Sequence, residues 1–195
     1  KEEVIMRKII FFTILLFISI YMNFVNNGVI LTDDLSTGFI SNYINDFKLD
    51  YIDFISKYIS TPNMTSRPIS STIFYTIIYL MKFNEKFYYL NYLFFLISII
   101  VIFFTFKKIF SENISVIITI FYSLIPIGTS IVYSPIMMNS NIASIFYCLS
   151  LFFIYGRRNL FLSIIFLFFS VLSYEVFAPL IIFNAFLASN NFKIR

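Results

Sequence analysis

The 195-residue chain has no histidine and no tryptophan, a single cysteine, four glycines and five prolines, and only 12% of its residues are charged. Each scarcity removes a class of chemistry. Without histidine the chain cannot by itself build a His-based metal site or a His-dependent catalytic triad, so acid–base work falls to its carboxylates. With Cys148 alone there is no internal disulfide. A soluble domain carries roughly a quarter charged residues, so this chain is solvated by something other than water. Its net charge of +4 does not point to nucleic acid, because the basic residues stand in small groups between apolar runs.

What is present is hydrophobicity, at 59% of residues, with 22% aromatic. Heavy Phe, Ile, Asn and Lys usage also follows from AT-rich coding, so aromatic abundance alone carries little weight. Apolar runs succeed one another from Ile9 to Ser189, the pattern of an all-α, polytopic transmembrane helix bundle. The chain opens KEEVIM, with its first methionine at Met6, and closes NNFKIR directly after an apolar run. It therefore reads as one membrane domain, residues 1–195, forming the N-terminal part of a longer module.

The first run, Ile9–Val25, follows Arg7 and Lys8 and lacks a small-x-small cleavage site, which favours a retained helix over a signal peptide. Further runs are Ile69–Met81, Tyr88–Phe106, Ile114–Thr129, Pro135–Tyr155, Leu160–Leu172 and Val176–Ser189. Thirteen residues, as in Ile69–Met81, rise only about 20 Å as a helix, against a hydrocarbon core of about 30 Å. If that run does not cross, Lys1, Arg7, Lys8, Lys107, Lys108, Arg157, Arg158, Lys193 and Arg195 fall on the cytoplasmic side, nine of fourteen basic residues. If it crosses, only five do, and the positive-inside rule prefers the first arrangement. Six spans result, with the N-terminus cytoplasmic and residues 26–87 forming one large external loop. A turn at Ser173-Tyr174-Glu175 splits the last stretch into two arms. The expected location is the cytoplasmic (inner) cell membrane.

Within the external loop, Ile44, Phe47, Tyr51, Ile55, Tyr58 and Ile59 oppose Asp46, Asp50, Asp53 and Lys57, the spacing of a surface-lying amphipathic helix. Ser66-Arg67-Pro68 then opens the Ile69–Met81 helix, with proline suited to its first turn. This topology brings Asp33, Asp34, Arg67 and Glu175 to one side of the membrane. A carboxylate is suited to act as general base toward an acceptor hydroxyl, and the planar arginine fork to hold a phosphate. The plain alternative is a polar loop at the aspartates and a headgroup anchor at Arg67.

An N-in helix, a long external loop opening with an acidic pair, an amphipathic helix and a basic-Pro entry into a short juxtamembrane helix follow one another here. The carrying segments are "TDDLSTGF", "SRPISSTIFYTIIYLMKFN", "YYLNYLFFLISIIVIFFTFKKIFSENISVIITIFYSLIP" and "LSYEVFAPLII". In this order the chain resembles the GT-C superfamily of membrane glycosyltransferases, most of all the O-antigen-modifying glucosyltransferases. The resemblance implies inverting transfer of a hexose from a polyprenyl-phosphate carrier to a glycan, lipid or protein acceptor on the outer face of the bilayer. It implies Asp33 as catalytic base and Asp34 as its neighbour, a positioner or the contact for a divalent cation, with no other cofactor. Arg67 would hold the lipid phosphate, and Tyr174 and Glu175 would contact substrate. The chain departs from the family in having six spans rather than eight or more. It also lacks a second acidic motif in Thr129–Ser140, where "SPIMMNSNIAS" offers only Asn139, Ser140 and Asn141. The competing class is a transporter or flippase for lipid-linked glycans. Such proteins usually place charges inside spans and carry internal repeats, and no repeat relates the two halves here.

Overall fold

The structure, a computed structural model, describes residues 8, 11–16, 40, 42, 44, 46–58, 65–81, 86–124, 137–155 and 159–193. Among the described residues there is no strand. After the helical stretch 11–16, the principal elements are α1 (Tyr51–Tyr58), α2 (Pro68–Met81), α3 (Lys86–Ile109), α4 (Glu112–Leu124), α5 (Met138–Tyr155), α6 (Leu160–Ser173), a 3-10 turn (Glu175–Phe177) and α7 (Leu180–Lys193). Where they are described, the apolar runs are helical. Among the described residues, only Tyr89–Ile109, 21 residues, and Met138–Tyr155, 18 residues, are long and apolar enough by themselves to cross a membrane. The shorter apolar helices fall below that length.

Local chemistry explains the helix ends. Pro68 opens α2, where its fixed φ suits the first turn and its missing N–H costs nothing. Lys107 and Lys108 close α3 and Glu112 opens α4, each charge complementing the helix dipole beside it. Lys107 Nζ also donates to Glu112 Oε2 at 3.0 Å, tying the two helix ends together. Asn159 caps α6, its side chain accepting from the Leu162 amide at 3.1 Å.

The expected continuous amphipathic helix over 44–59 is interrupted. Lys48 sits at φ 46°, in the left-handed region, and the Leu49 amide donates back to the Ile44 carbonyl. Asp50 then starts a new helix by accepting from the Asp53 amide at 2.8 Å. The break re-aims the apolar face. Ile44 is buried, but Phe47 is exposed, and the residue that is completely enclosed is Phe54. Phe54 packs among Tyr58, Tyr75 and Tyr79, joining α1 to α2. The Tyr51 hydroxyl shares a hydrogen bond with Thr76 at 2.8 Å across the same junction.

Side-chain contacts give the helix directions. Ser98 and Phe95 of α3 meet Tyr122 of α4, so α4 runs back along α3. Asn141 Nδ2 donates to Asn91 Oδ1 at 3.1 Å and Thr105 Oγ1 to the Cys148 carbonyl, so α5 runs the same way as α3. Ser150 pairs with Ser163, and Ser170 Oγ donates to the Ala143 carbonyl, so α6 returns along α5. Asn184 Nδ2 donates to Ser150 Oγ at 2.9 Å, which brings α7 back down against α5. These helix contacts are made by small polar side chains, several of them fully buried. Phe161, Ile164, Phe168, Ile182 and Phe183 face outward.

The bundle therefore has two distinct ends. Phe11 and Phe12 both meet Phe103 late in α3, so Lys8 lies toward the end that carries Lys107 and Lys108. At the other end, Phe74, Ile78, Met138 and Ile142 share one buried cluster, which seats α2 on the first turns of α5.

Candidate functional site

At this second end, α2 begins where α6 ends. The buried hydroxyl of Ser70 donates to the Ser173 carbonyl at 2.5 Å, joining the first turn of α2 to the last turn of α6. Directly outside that junction stand Arg67, immediately before α2, and Tyr174 and Glu175, immediately after α6. Proline at 68 disfavours helical backbone at Arg67, which stands outside the helix while its carbonyl accepts from the Ser71 amide at 2.9 Å. Tyr174 is extended, at φ −158° and ψ 114°, and caps α6 through its backbone N–H to the Ser170 carbonyl.

Arg67 and Glu175, 108 residues apart, meet as a two-pronged ion pair. Nε donates to Oε2 at 2.6 Å and Nη2 to Oε1 at 2.5 Å. Cζ of the guanidinium lies 4.5 Å from the centroid of the Tyr174 ring, a cation–π contact. Three of the five guanidinium N–H groups, two on Nη1 and one on Nη2, lie outside the two bonds to Glu175. The Arg67 hydrogen bonds hold the Glu175 carboxyl below the usual carboxylate range, against a smaller opposing effect of burial. The same bonds to Glu175 push the Arg67 guanidinium upward, again with desolvation opposing. Arg67 is therefore cationic and Glu175 anionic at neutral pH. The side chains stay open to solvent, 27% exposed for Arg67 and 49% for Glu175.

Of the residues expected at the site, Arg67, Tyr174 and Glu175 are brought into one cluster. Asp33 and Asp34 lie outside the described residues. Among the described residues no group of three His, Cys, Asp or Glu side chains could hold a metal ion. Glu175, the described carboxylate of the expected set, is bonded to Arg67.

The polar residues Asn139, Ser140 and Asn141 lie in the first turn of α5. Asn141 is completely enclosed and bonded to Asn91 inside the bundle, and Ser140 is buried as well. Both are helical residues of α5. Asn139 Oδ1 is enclosed without a hydrogen-bond partner among the described residues. The link between Ser70 and Ser173 went unread in the sequence, where Ser173 figured only as part of a turn. Their signal was a hydroxyl on each side of the Arg-Pro and Tyr-Glu motifs, in otherwise apolar helices. Compared with protein-family models, with curated proteins and with solved structures, the chain finds no match.

Proposed function

We propose that the chain is the membrane-embedded part of a GT-C-type glycosyltransferase that takes a hexose from a polyprenyl-phosphate carrier. The transfer inverts the sugar and delivers it to a glycan, lipid or protein acceptor at the outer face of the cytoplasmic membrane. The observation that carries this reading is the meeting of Arg67 with Tyr174 and Glu175 at one end of the bundle, opposite the end bearing Lys8, Lys107 and Lys108. Basic residues favour the cytoplasmic side of a membrane, so the arginine site would face outward.

The distribution of side chains supports a lipid environment. Ser98, Ser115, Thr119, Ser150, Ser163 and Asn184 are buried between helices, while large aliphatic and aromatic side chains cover the outside. In water that arrangement is costly on both counts, whereas in lipid small polar residues commonly join helices and apolar ones face the acyl chains. At 14 residues, α2 would reach about 21 Å, short of the hydrocarbon core. It fits a juxtamembrane helix resting on the outer ends of α5 and α6.

In this mechanism Arg67 binds the carrier's phosphate and stabilises the charge that grows on it as the sugar leaves. Asp33 accepts the proton of the acceptor hydroxyl as that oxygen attacks the anomeric carbon from the face opposite the phosphate. The C–O bond to the phosphate breaks, the phosphate keeps the electron pair, and the configuration inverts. Tyr174 holds the guanidinium in orientation, and Asp34 positions its neighbour.

The test is turnover of a polyprenyl-phosphate sugar by the full-length protein with Asp33→Asn and with Asp34→Asn. Asp33→Asn keeps shape and removes basicity, so turnover should fall by roughly 10² to 10⁴-fold while donor binding persists. A larger defect in Asp34→Asn would exchange the two roles. Near-normal turnover in both variants would remove the pair from the chemistry and favour a transporter of lipid-linked glycans.

A further inference from the structure

We infer that Glu175 competes with the substrate's phosphate ester for the same edge of Arg67, so that donor binding is an anion exchange. The inference rests on the reading of Arg67 as the phosphate holder and adds to it a residue that sets the affinity. Glu175 takes the Nε and Nη2 positions together, with bonds of 2.6 and 2.5 Å. That fork matches two oxygens of a carboxylate or of a phosphate. Both anions cannot hold it at once.

Three features let the exchange proceed without disturbing the fold. The junction of α2 and α6 has its own fastening, the buried hydrogen bond from Ser70 Oγ to the Ser173 carbonyl. Arg67 would stay aimed after losing Glu175, because Pro68 restricts its backbone and the Tyr174 ring covers one face of the guanidinium. Glu175 is half exposed and stands at the head of a short 3-10 turn, so its carboxylate can pass into water when displaced. A residue serving only as a clamp would gain nothing from this exposure. A residue that only oriented Arg67 toward phosphate would leave the fork free for the ligand.

The experiment measures binding of farnesyl phosphate to the full-length protein in dodecyl maltoside, whose headgroup carries no phosphate, with farnesol as the tail-only control. Glu175→Gln should tighten farnesyl phosphate binding by roughly two- to fivefold, the worth of an exposed ion pair expressed as an affinity ratio. Arg67→Gln should weaken it, and in the Arg67→Gln background Glu175→Gln should have no effect. Dihexanoyl phosphatidylglycerol, titrated the same way, separates a bilayer headgroup from the carrier as the source of phosphate. The carrier is the expected occupant, so the phosphatidylglycerol should bind more weakly than farnesyl phosphate. Equal binding of the two, with equal tightening by Glu175→Gln, would overturn the carrier as occupant. If Arg67→Gln weakens binding but Glu175→Gln leaves it equal or weaker, the exchange is wrong and the phosphate role of Arg67 stands. If Arg67→Gln changes nothing, the phosphate role itself is wrong. Glu175→Ala serves as the second variant. Failure of both Glu175 variants to fold would overturn the exchange, because the junction would then depend on the ion pair.

Discussion

Replacing Arg67 with glutamine removes two charge-assisted hydrogen bonds and the cation lying 4.5 Å from the Tyr174 ring centroid. Were the pair buried, breaking it would cost about 3–5 kcal/mol. It is not: 27% of the Arg67 side chain and 49% of the Glu175 side chain meet solvent, and screening cuts the pair to about 0.5–1 kcal/mol. The stack on Tyr174 adds about 0.5–1 kcal/mol at an exposed position. Arg67→Gln should therefore destabilise by about 1–2 kcal/mol, a fall in Tm of about 2–8 °C for a chain of this size. Glu175→Gln should cost less, since the stack survives. Thermal unfolding of the wild type, the two single variants and the double variant in one detergent isolates the pair as a coupling of about 0.5–1 kcal/mol. High salt should reduce that coupling, because exposed charges are screened within about 10 Å at 0.1 M. No coupling would mean that the pair does not form in solution. A coupling of about 3 kcal/mol or more that ignores salt would mean that the pair is sequestered, contrary to its exposure, and would also undercut the exchange of Glu175 for phosphate.

Acid should act on the same pair. The folded-state pKa of Glu175 lies below its ordinary value of 4.5, so its contribution is fully present above that value and is lost as pH falls through the lower one. Acid unfolding of Arg67→Gln should lack that share of the stability loss, as a pH series of melting temperatures would show. For topology, single cysteines near Asn84 should react with a membrane-impermeant reagent applied from outside, and those near Glu112 should not; the reverse pattern would invert the bundle. In the interior, Ser150→Ala should destabilise more than Asn184→Leu, by about 1 kcal/mol. The first leaves the Asn184 amide enclosed without its acceptor, and the second removes the whole polar group. Equal unfolding midpoints for the two would show that the Ser163–Ser150–Asn184 chain does not hold the helices together.

The sequence alone determined the helices and several of their ends. Apolar runs demand helical backbone when few polar partners are available, and Pro68, Asn159 and the Lys107–Glu112 step punctuate them by local chemistry that needs no tertiary contact. It also singled out Arg67 and Glu175, because charged side chains beside long apolar runs are few, whereas Tyr174 came from the family resemblance alone. Tertiary structure decided what these residues touch. A helix that is apolar all round, like α3, carries no stripe to say which face turns inward. The rotation is set by small polar groups such as Asn91 and Thr105 finding Asn141 and the Cys148 carbonyl on a helix far along the chain. The same holds for the left-handed turn at Lys48, which put Phe54 and not Phe47 into the core. It holds again for the Arg67–Glu175 pair, whose partners are 108 residues apart and meet where the Ser70–Ser173 hydrogen bond joins the start of α2 to the end of α6.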